Sequence, residues 1–421
     1  MLHSSYWCPS AIPNNGTGGK VDIDRLQDLS ATVTLNRSKI KEIGRDGVVG
    51  WKVNVPTVSL TLKQLEYGNL AFWTALANGP NVANVVTLND FKLSQIDILG
   101  YETQDTGTFL GTIQYPAMRV DGFDIDIGSP MDMAMRSFTL VGEDEVQWQN
   151  NNAYVVLIVD SGATNGAYTI AISHSGAYTS YPVPVLDPDT SANYIIKVVR
   201  VRAGVSSGLV QGTDYTYNSA NQHLTFSAAA TGDTHKIWYT AASYISGVTP
   251  FVDNNADVFG IPAEQVSVFL TTGNYVFRLQ SAKISVKFTR EDLKEIGNTQ
   301  IVTRGIKDKM VTVTLGRNLE TFTIEQILRG VSSTYGKIDA SMFSNNVGGS
   351  KLFVYMYDSK AKTNFKLGYT CANLAPTSLS STAPLNAYQT KQVTMEGESL
   401  LITNLLANMS VTTYDADTVA N

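Results

Sequence analysis

Cysteine and charge are both scarce in this sequence. Only Cys8 and Cys371 occur among 421 residues, too few for a disulfide framework or a cysteine-based metal cluster. Charged residues make up 16 % of the chain and the net charge is −6, so the basic stripe of a general nucleic-acid-binding protein is missing. These shortages exclude a disulfide-stapled domain and a protein that coats DNA.

The sequence also lacks a long apolar run. Its longest aliphatic run covers residues 154–159, which is far short of the roughly 20 residues of a membrane helix. The first ten residues have no basic region followed by an apolar stretch, so we expect no signal peptide and no membrane association.

Motifs of catalysis and cofactor binding are missing as well. The chain has no G-x-S-x-G elbow, no phosphate-binding P-loop and no Rossmann glycine set. The four histidines show no metal-ligand spacing. Cys371 is predicted to be a small core residue on a strand. We therefore expect a protein without a catalytic site, a metal or a cofactor.

What the sequence does contain is an internal repeat. Residues 25–44 and 278–297 are identical at nine of twenty positions without a gap, and each residue lies 253 positions before its counterpart. The similarity continues through 58–62 with 311–315, and through 138–144 with 393–399. An offset that stays between 253 and 255 over more than a hundred positions indicates one duplicated unit.

Both repeats have the same predicted elements. Alternating apolar residues predict two strands, then helical spacing predicts a short helix, and further strands follow. The helix positions are Phe72, Trp73 and Leu76 in the first repeat and Ile324, Ile327, Leu328 and Val331 in the second. We call residues 1–150 copy one and residues 253–421 copy two.

Residues 151–252 have no counterpart in either copy. Short β-rich runs there are separated by Gly, Ser, Asn and Pro-Asp turns, which is typical of a small all-β sandwich. The predicted fold class is therefore α+β, mainly β: two duplicated β-sandwich domains, each with a short helix, and an inserted all-β, immunoglobulin-like domain.

Two acidic side chains mark one face of a predicted strand. In the segment 123–127, Asp124 and Asp126 alternate with apolar residues, so both carboxylates should lie on one solvated strand face. Charge also differs between the copies, because copy one carries 11 basic and 17 acidic residues whereas copy two carries 16 and 15. Complementary copies would favour alternation around a ring.

The repeated order of strand, long loop, strand, helix and strands, with an added β domain, resembles the major tail tube protein of long-tailed bacteriophages. It is most similar to the variety with two tandem tube domains and an immunoglobulin-like decoration. The resemblance implies that three chains form a ring of six tube domains and that stacked rings form a conduit for DNA ejection. DNA would pass through without specific binding.

The resemblance also implies partners and a location. The partners would be further copies of the chain together with the tape measure, tail terminator and distal tail proteins. The protein would be assembled in the host cytoplasm and would reside in the virion tail.

Two loops are the predicted ring-to-ring contacts, because they follow the repeated segments and differ between the copies. They cover residues 44–57 and 297–310, and an exposed tryptophan there would be a typical interface anchor. The candidate inter-ring residues are Arg45, Trp51, Lys52, Arg304, Lys307 and Lys309. Asp124 and Asp126 are the candidates for a lumen or solvated strand face.

Two other functions fit parts of the same pattern. A distal tail or baseplate hub protein would share the fold but form a single ring. A surface adhesin would bind carbohydrate through the Tyr-rich inserted domain. We also expect the inserted domain to be dispensable for tube formation.

Overall fold

The computed structural model describes most of both copies and of the inserted segment. The described residues are 7–13, 21–41, 48–53, 55–77, 84–92, 94–103, 109–129, 131–149, 154–172, 194–203, 205–241, 260–270, 276, 279–294, 301–318, 328, 350–383, 385 and 388–409. Strands dominate these ranges and pair antiparallel, so the fold is mainly β as predicted.

Copy one contains eleven of the described strands and one α-helix. In chain order the strands are β1 (Trp7–Pro13), β2 (Val21–Asp22), β3 (Leu26–Thr34), β4 (Arg37–Ile40), β5 (Gly50–Val53), β6 (Thr57–Leu65), β7 (Val85–Thr87), β8 (Ile96–Thr103), β9 (Phe109–Ile127), β10 (Met135–Gly142) and β11 (Val146–Gln149). Helix α1 (Leu70–Leu76) lies between β6 and β7, and a 3-10 helix (Leu88–Phe91) follows β7.

Copy two contains seven of the described strands, three of which are 16 to 18 residues long. In chain order they are β19 (Val266–Leu270), β20 (Leu279–Lys294), β21 (Ile301–Asn318), β22 (Ser350–Tyr357), β23 (Phe365–Thr382), β24 (Thr390–Gly397) and β25 (Ser399–Thr403). Two 3-10 helices, Ala263–Gln265 and Leu406–Asn408, flank them. Of the second predicted helix only Leu328 lies among the described residues, where it is helical and buried.

The four strands that follow the sequence repeat pair in the same order in both copies. The order is β3–β6–β10–β9 in copy one and β20–β21–β24–β23 in copy two. Equivalent residues even keep the same register, since Leu62 pairs with Leu29 and Phe138, and Leu315 pairs with Ala282 and Val393. A β-bulge falls at the same place too, skipping Asp121 in β9 and Thr377 in β23.

The two copies join edge to edge into one continuous sheet. Strand β20 pairs with the second half of β9, from Ala282 opposite Ile127 to Lys287 opposite Gly122. A second contact pairs β25 with β7. One apolar cluster runs through both copies and includes side chains on both sides of the junction, such as Phe123 and Val286. The described parts of the copies therefore share a single core.

Helix α1 covers this core at the copy-one end. Its amide hydrogen bond from Ala71 to the side chain of Asn69, at 2.7 Å, caps the first turn, and Ala77 ends it. Phe72 and Trp73 are fully buried, with Trp73 edge-on to Phe123 and Phe138 at 4.9 Å between ring centroids. The helix predicted from Phe72, Trp73 and Leu76 is therefore present.

The inserted segment forms two packed sheets. Their strands are β12 (Tyr154–Asp160), β13 (Gly166–Ala171), β14 (Ile195–Arg202), β15 (Val205–Leu209), β16 (Tyr215–Asn218), β17 (His223–Ala229) and β18 (Thr234–Ala241). The sheet orders are β12–β18–β14–β15 and β13–β17–β16, and side chains of both sheets share one apolar cluster. The immunoglobulin-like assignment and the domain boundaries stay predictions.

This segment rests on copy one through one face of its larger sheet. Trp238 and Val199 form an apolar cluster with Leu99 of β8, and all three side chains are buried. Lys236 lies at the same contact and is fully buried, so desolvation lowers its pKa to about 8, while nearby Asp97 favours the charged form. The inserted segment is thus packed against copy one rather than tethered beside it.

Candidate assembly surfaces

The joined sheet has one apolar face and one polar face. Along β6 and β10, and along residues 122–127 of β9, 281–288 of β20 and 311–318 of β21, every second residue is buried, as Val58, Leu60 and Leu62 illustrate. The intervening positions carry small polar side chains, among them Ser59, Thr61, Ser137, Thr139, Ser285, Thr312, Thr314 and Thr394. Alternation of this kind places the hydroxyl-rich face away from the core.

Asp124 and Asp126 lie on this polar face. Their neighbours Phe123 and Ile125 are buried, so the predicted alternation of the segment is present. The carboxylate of Asp124 lies 3.3 Å from the Lys283 ammonium and accepts a hydrogen bond from the Ser285 hydroxyl. Asp124 thus bridges the junction between the copies, while Asp126 is exposed beside it.

Charges on the polar face largely offset one another. Besides Lys283 with Asp124, Lys63 of β6 lies 3.9 Å from Asp28 of β3. Both pairs are partly exposed, so each adds little stability. Their effect is to leave a face without a strong positive potential, which would otherwise hold phosphate groups.

In the described part of the chain, the joined sheet has an unpaired strand edge on each side. Among the described residues β3 pairs only with β6, and residues 31–34 of β3 are exposed. On the opposite side, the described partner of residues 378–382 of β23 is β24 alone, and these residues are exposed as well. Unpaired strand edges of this kind favour pairing with another chain.

Trp51 and Lys52 lie on a hairpin that stands apart from the joined sheet. Strands β4 and β5 pair only with each other in the described part of the chain. Trp51 is 54 % exposed, and the Lys39 ammonium lies 5.6 Å from its ring centroid. Ile40, Val48 and Val49 are exposed on the same hairpin. Arg45, the remaining copy-one candidate, lies outside the described residues.

The loop predicted for residues 297–310 is largely strand, so that prediction was wrong for 301–310. Strand β21 begins at Ile301 and pairs with β20 through Lys294. Arg304, Lys307 and Lys309 therefore lie on a long hairpin arm. The pairing partner is β20, which runs through most of the repeated segment and ends at Lys294. In copy one, too, residues 50–53 are strand rather than loop.

The three copy-two candidates differ in their surroundings. Lys307 is exposed. Lys309 is partly buried, and its ammonium donates a hydrogen bond to the Asn89 side chain at 2.8 Å, which links copy two to copy one within the chain. The side chain of Arg304 is not among those described. Lys309 therefore has an internal partner that the sequence did not indicate.

A buried polar cluster between the copies was also missed. Arg136 of β10 and Glu66 are fully buried, and the guanidinium Nη1 lies 3.4 Å from the carboxylate. The Tyr369 hydroxyl donates to the same carboxylate at 2.7 Å, and Gln64 accepts from Arg136 Nε at 3.1 Å. Burial and the Glu66 charge both raise the pKa of Tyr369. The cluster ties copy two to copy one.

The described residues offer little for catalysis. No group of three His, Cys, Asp or Glu side chains in the described ranges could hold a metal ion. Cys371 is fully buried, and desolvation raises the pKa of its thiol well above the usual value, which disfavours the reactive thiolate. No helix in the described ranges is long and apolar enough to cross a membrane.

Comparison with known proteins gives several solved structures with a weak likeness to the chain, three of which are described below. No family model and no curated protein matches the chain. Three solved structures align with 35 to 37 % of it, at 14 to 17 % identity and a TM-score of 0.27. They are the tube-terminating cap and the baseplate of the anti-feeding prophage, and the sheath–tube complex of an extracellular contractile injection system, and 93 to 98 % of their chains are covered. At this level the likeness carries no weight for function.

Proposed function

We propose that this chain is a structural protein of a phage-type tail. Copies one and two are each one tube unit, so three chains close into a ring of six units. Stacked rings form the tube through which DNA is ejected. The protein is not an enzyme in this account, and its partners are further copies of itself and other tail proteins.

The junction between β9 and β20 carries this proposal. It joins copy one to copy two through one edge of each copy. The corresponding edges, β3 in copy one and residues 378–382 of β23 in copy two, have no strand beside them among the described residues. A unit that joins its neighbour through two different edges builds a ring if the rotation closes, or a helical filament if it does not. Closure also removes the exposed edges.

The polar face supports a role as a DNA conduit. In a closed barrel the apolar face of the sheet would pack on the core of each unit, so the hydroxyl-rich face would line the lumen. Asp124 and Asp126 would then face the passing DNA. Since the few charges there are balanced, phosphates would be neither held nor strongly repelled.

Exposed apolar side chains beyond both ends of the strands support stacking of rings. The β4–β5 hairpin extends from the end where Thr34 pairs with Thr57, and it carries Trp51. The turn between β9 and β10 lies at the opposite end, and Met131 there is 94 % exposed. In copy two the equivalent turn carries Leu385 and Tyr388, which are 92 % and 79 % exposed. Rings stacked head to tail would bring these surfaces together.

Sedimentation analysis of the purified chain tests the proposal. We expect species whose mass is three times the 45.7-kDa chain, followed by larger multiples of that unit. A monomer at all concentrations would overturn the proposal and would favour the adhesin. A stable three-chain species that never grows would favour the distal tail or baseplate hub protein, which shares the ring but not the stack.

A further inference from the structure

Equivalent strands of the two copies pair in the same register. The pairing of β20 with β9 inside the chain therefore predicts how β3 of one chain would pair with β23 of the next, and we call that contact between chains the seam. Ala282 and Val286 of β20 are equivalent to Leu29 and Val33 of β3, since both sets face the same positions of β6 and β21. By the same comparison through β10 and β24, Phe123 of β9 is equivalent to Leu379 of β23.

The exposed fractions of equivalent side chains differ between the internal junction and the free strand edges. At the internal junction Val286 pairs with Phe123, and each is 3 % exposed. Their equivalents, Val33 and Leu379, are 40 % and 38 % exposed. These two apolar side chains point to the core face of their strands, and no described residue of the chain pairs with their free edges, so a neighbouring strand at the same edge would cover them.

We propose that residues 30–33 of one chain pair antiparallel with residues 379–382 of a second copy, with Val33 opposite Leu379. The remaining pairs are Ser30 with Thr382, Ala31 with Ser381 and Thr32 with Ser380. This assignment rests on the proposed ring and names the edge contact that closes it.

The pairing is one residue pair shorter than the internal junction at each end. Leu29 opposite Ala383 is left out because β23 ends at Thr382. A side chain at Gly122 would approach the Val286 carbonyl oxygen to 2.7 Å, so the internal junction needs glycine there. The equivalent residue of β23 is Ser378, which has a side chain. Thr34 opposite Ser378 is therefore left out of the seam.

The seam and the internal junction differ in chemistry on the polar face. The internal junction carries the ion pair of Lys283 with Asp124. Their equivalents between chains are Ser30 and Ser380, and the Ser285 and Asp126 equivalents are Thr32 and Thr382. Every polar side chain of the seam is thus an uncharged hydroxyl. Around a closed ring, three ionic internal junctions would alternate with three hydroxyl seams.

Disulfide trapping tests this register. We would combine Val33→Cys with Leu379→Cys in a chain carrying Cys8→Ser, because Cys371 is fully buried and can stay. After mild oxidation of the assembled protein, we expect covalent three-chain species on a non-reducing gel and dimers at partial oxidation. The matched control pairs Val33→Cys with Ser381→Cys, which lies on the same strand face two residues away.

The outcomes separate the register from the ring itself. Cross-linking of the control pair in preference to Val33 with Leu379 would overturn the register. Rings that form but cross-link through neither pair would overturn the seam while leaving the proposed function intact. A parent chain that does not assemble at all would overturn the proposed function.

A charge placed in the seam gives a second test that needs no cysteine. Leu379→Lys puts an ammonium on the apolar side of the seam, so we expect at least a tenfold loss of ring formation. Leu406→Lys is the control, because Leu406 is also 38 % exposed but lies outside the seam, in the 3-10 helix Leu406–Asn408. Equal ring formation by the two variants, both folded by circular dichroism, would overturn the proposed seam.

Discussion

Arg136, Glu66 and Tyr369 illustrate how much depends on single buried residues at the copy junction. A buried ion pair tolerates replacement as a whole better than the loss of one partner, since the remaining charge is left without compensation. The aromatic rings of Tyr67 and Phe72 lie 4.9 Å and 5.2 Å from the Arg136 guanidinium and further shield it from water.

We predict that Arg136→Met lowers the free energy of unfolding by about 3–5 kcal/mol, because the Glu66 carboxylate loses its buried cation. Tyr369→Phe should cost about 1–2 kcal/mol, since one hydrogen bond to that carboxylate is lost. Urea unfolding measures both. Lys63→Met breaks the partly exposed pair with Asp28 and should cost at most about 1 kcal/mol. Similar losses in all three variants would contradict this account.

His235 is a second residue with a measurable consequence. Its ring is buried and stacks on Phe226 at 3.9 Å between centroids, with Tyr168 at 6.2 Å. Desolvation lowers its pKa below the usual 6.5, although Asp233 and Asp160 oppose the shift. The folded chain therefore binds this proton less readily than the unfolded chain does.

Stability of the inserted segment should consequently fall as pH drops below about 6.5, where the unfolded chain takes up a proton that the folded chain resists. We predict that the melting temperature falls between pH 7 and pH 5 in the parent chain. In His235→Phe, which keeps an aromatic ring in the stack, the fall should be smaller. Scanning calorimetry at both pH values makes the comparison, and an identical fall in the two proteins would rule out His235 as the cause.

At the scale of elements, the β4–β5 hairpin is the part of copy one with the clearest apolar exposure. Trp51 and its neighbours are exposed although they are large and apolar, which is typical of an interaction surface. The equivalent part of copy two is the β20–β21 arm, whose strands continue unbroken from the joined sheet. The two arms would thus present different surfaces to a neighbouring ring.

Trp51→Ala should leave rings intact and shorten or abolish stacks, because a central aromatic anchor commonly contributes 2 kcal/mol or more, in order-of-magnitude terms, to an interface. Tube length in negative-stain images is the measurement. Val210→Ala is the control, since Val210 is 62 % exposed on the inserted segment and lies on neither hairpin arm. Unchanged tube lengths in Trp51→Ala would contradict the stacking role.

Sequence patterns predicted some elements well and others poorly, for physical reasons. The repeat gave the strands around Val33 and Val286, and the alternation of 123–127 placed Asp124 on the polar face. The 301–310 arm was missed because Lys307, Asp308 and Lys309 interrupt the apolar alternation while β20 supplies the pairing. The Arg136 cluster could not be predicted, since its partners Glu66 and Tyr369 are remote in sequence.

At the scale of the whole molecule, the inserted segment packs against copy one, although its separate set of strands suggested an independent domain. Trp238 and Val199 cover Leu99, so removal of residues 151–252 would leave an apolar patch on β8. Dispensability of the segment for tube formation stays a prediction, and its test must account for that patch.

We therefore predict that replacing residues 151–252 with a Gly/Ser linker permits rings when Leu99→Thr is added, and causes aggregation without it. Threonine suits a strand and presents a hydroxyl to water, so the added change removes the exposed patch. Light scattering and negative-stain images distinguish the two proteins. Loss of folding in both would mean that the inserted segment is part of the core structure.

The central claim is that three chains close into a ring through repeated strand edges. End-on class averages from electron microscopy test it most directly. We predict rings with six wall units and three-fold symmetry, since the two copies in each chain are similar but not identical. Single chains, open filaments or rings with any other number of wall units would contradict the account.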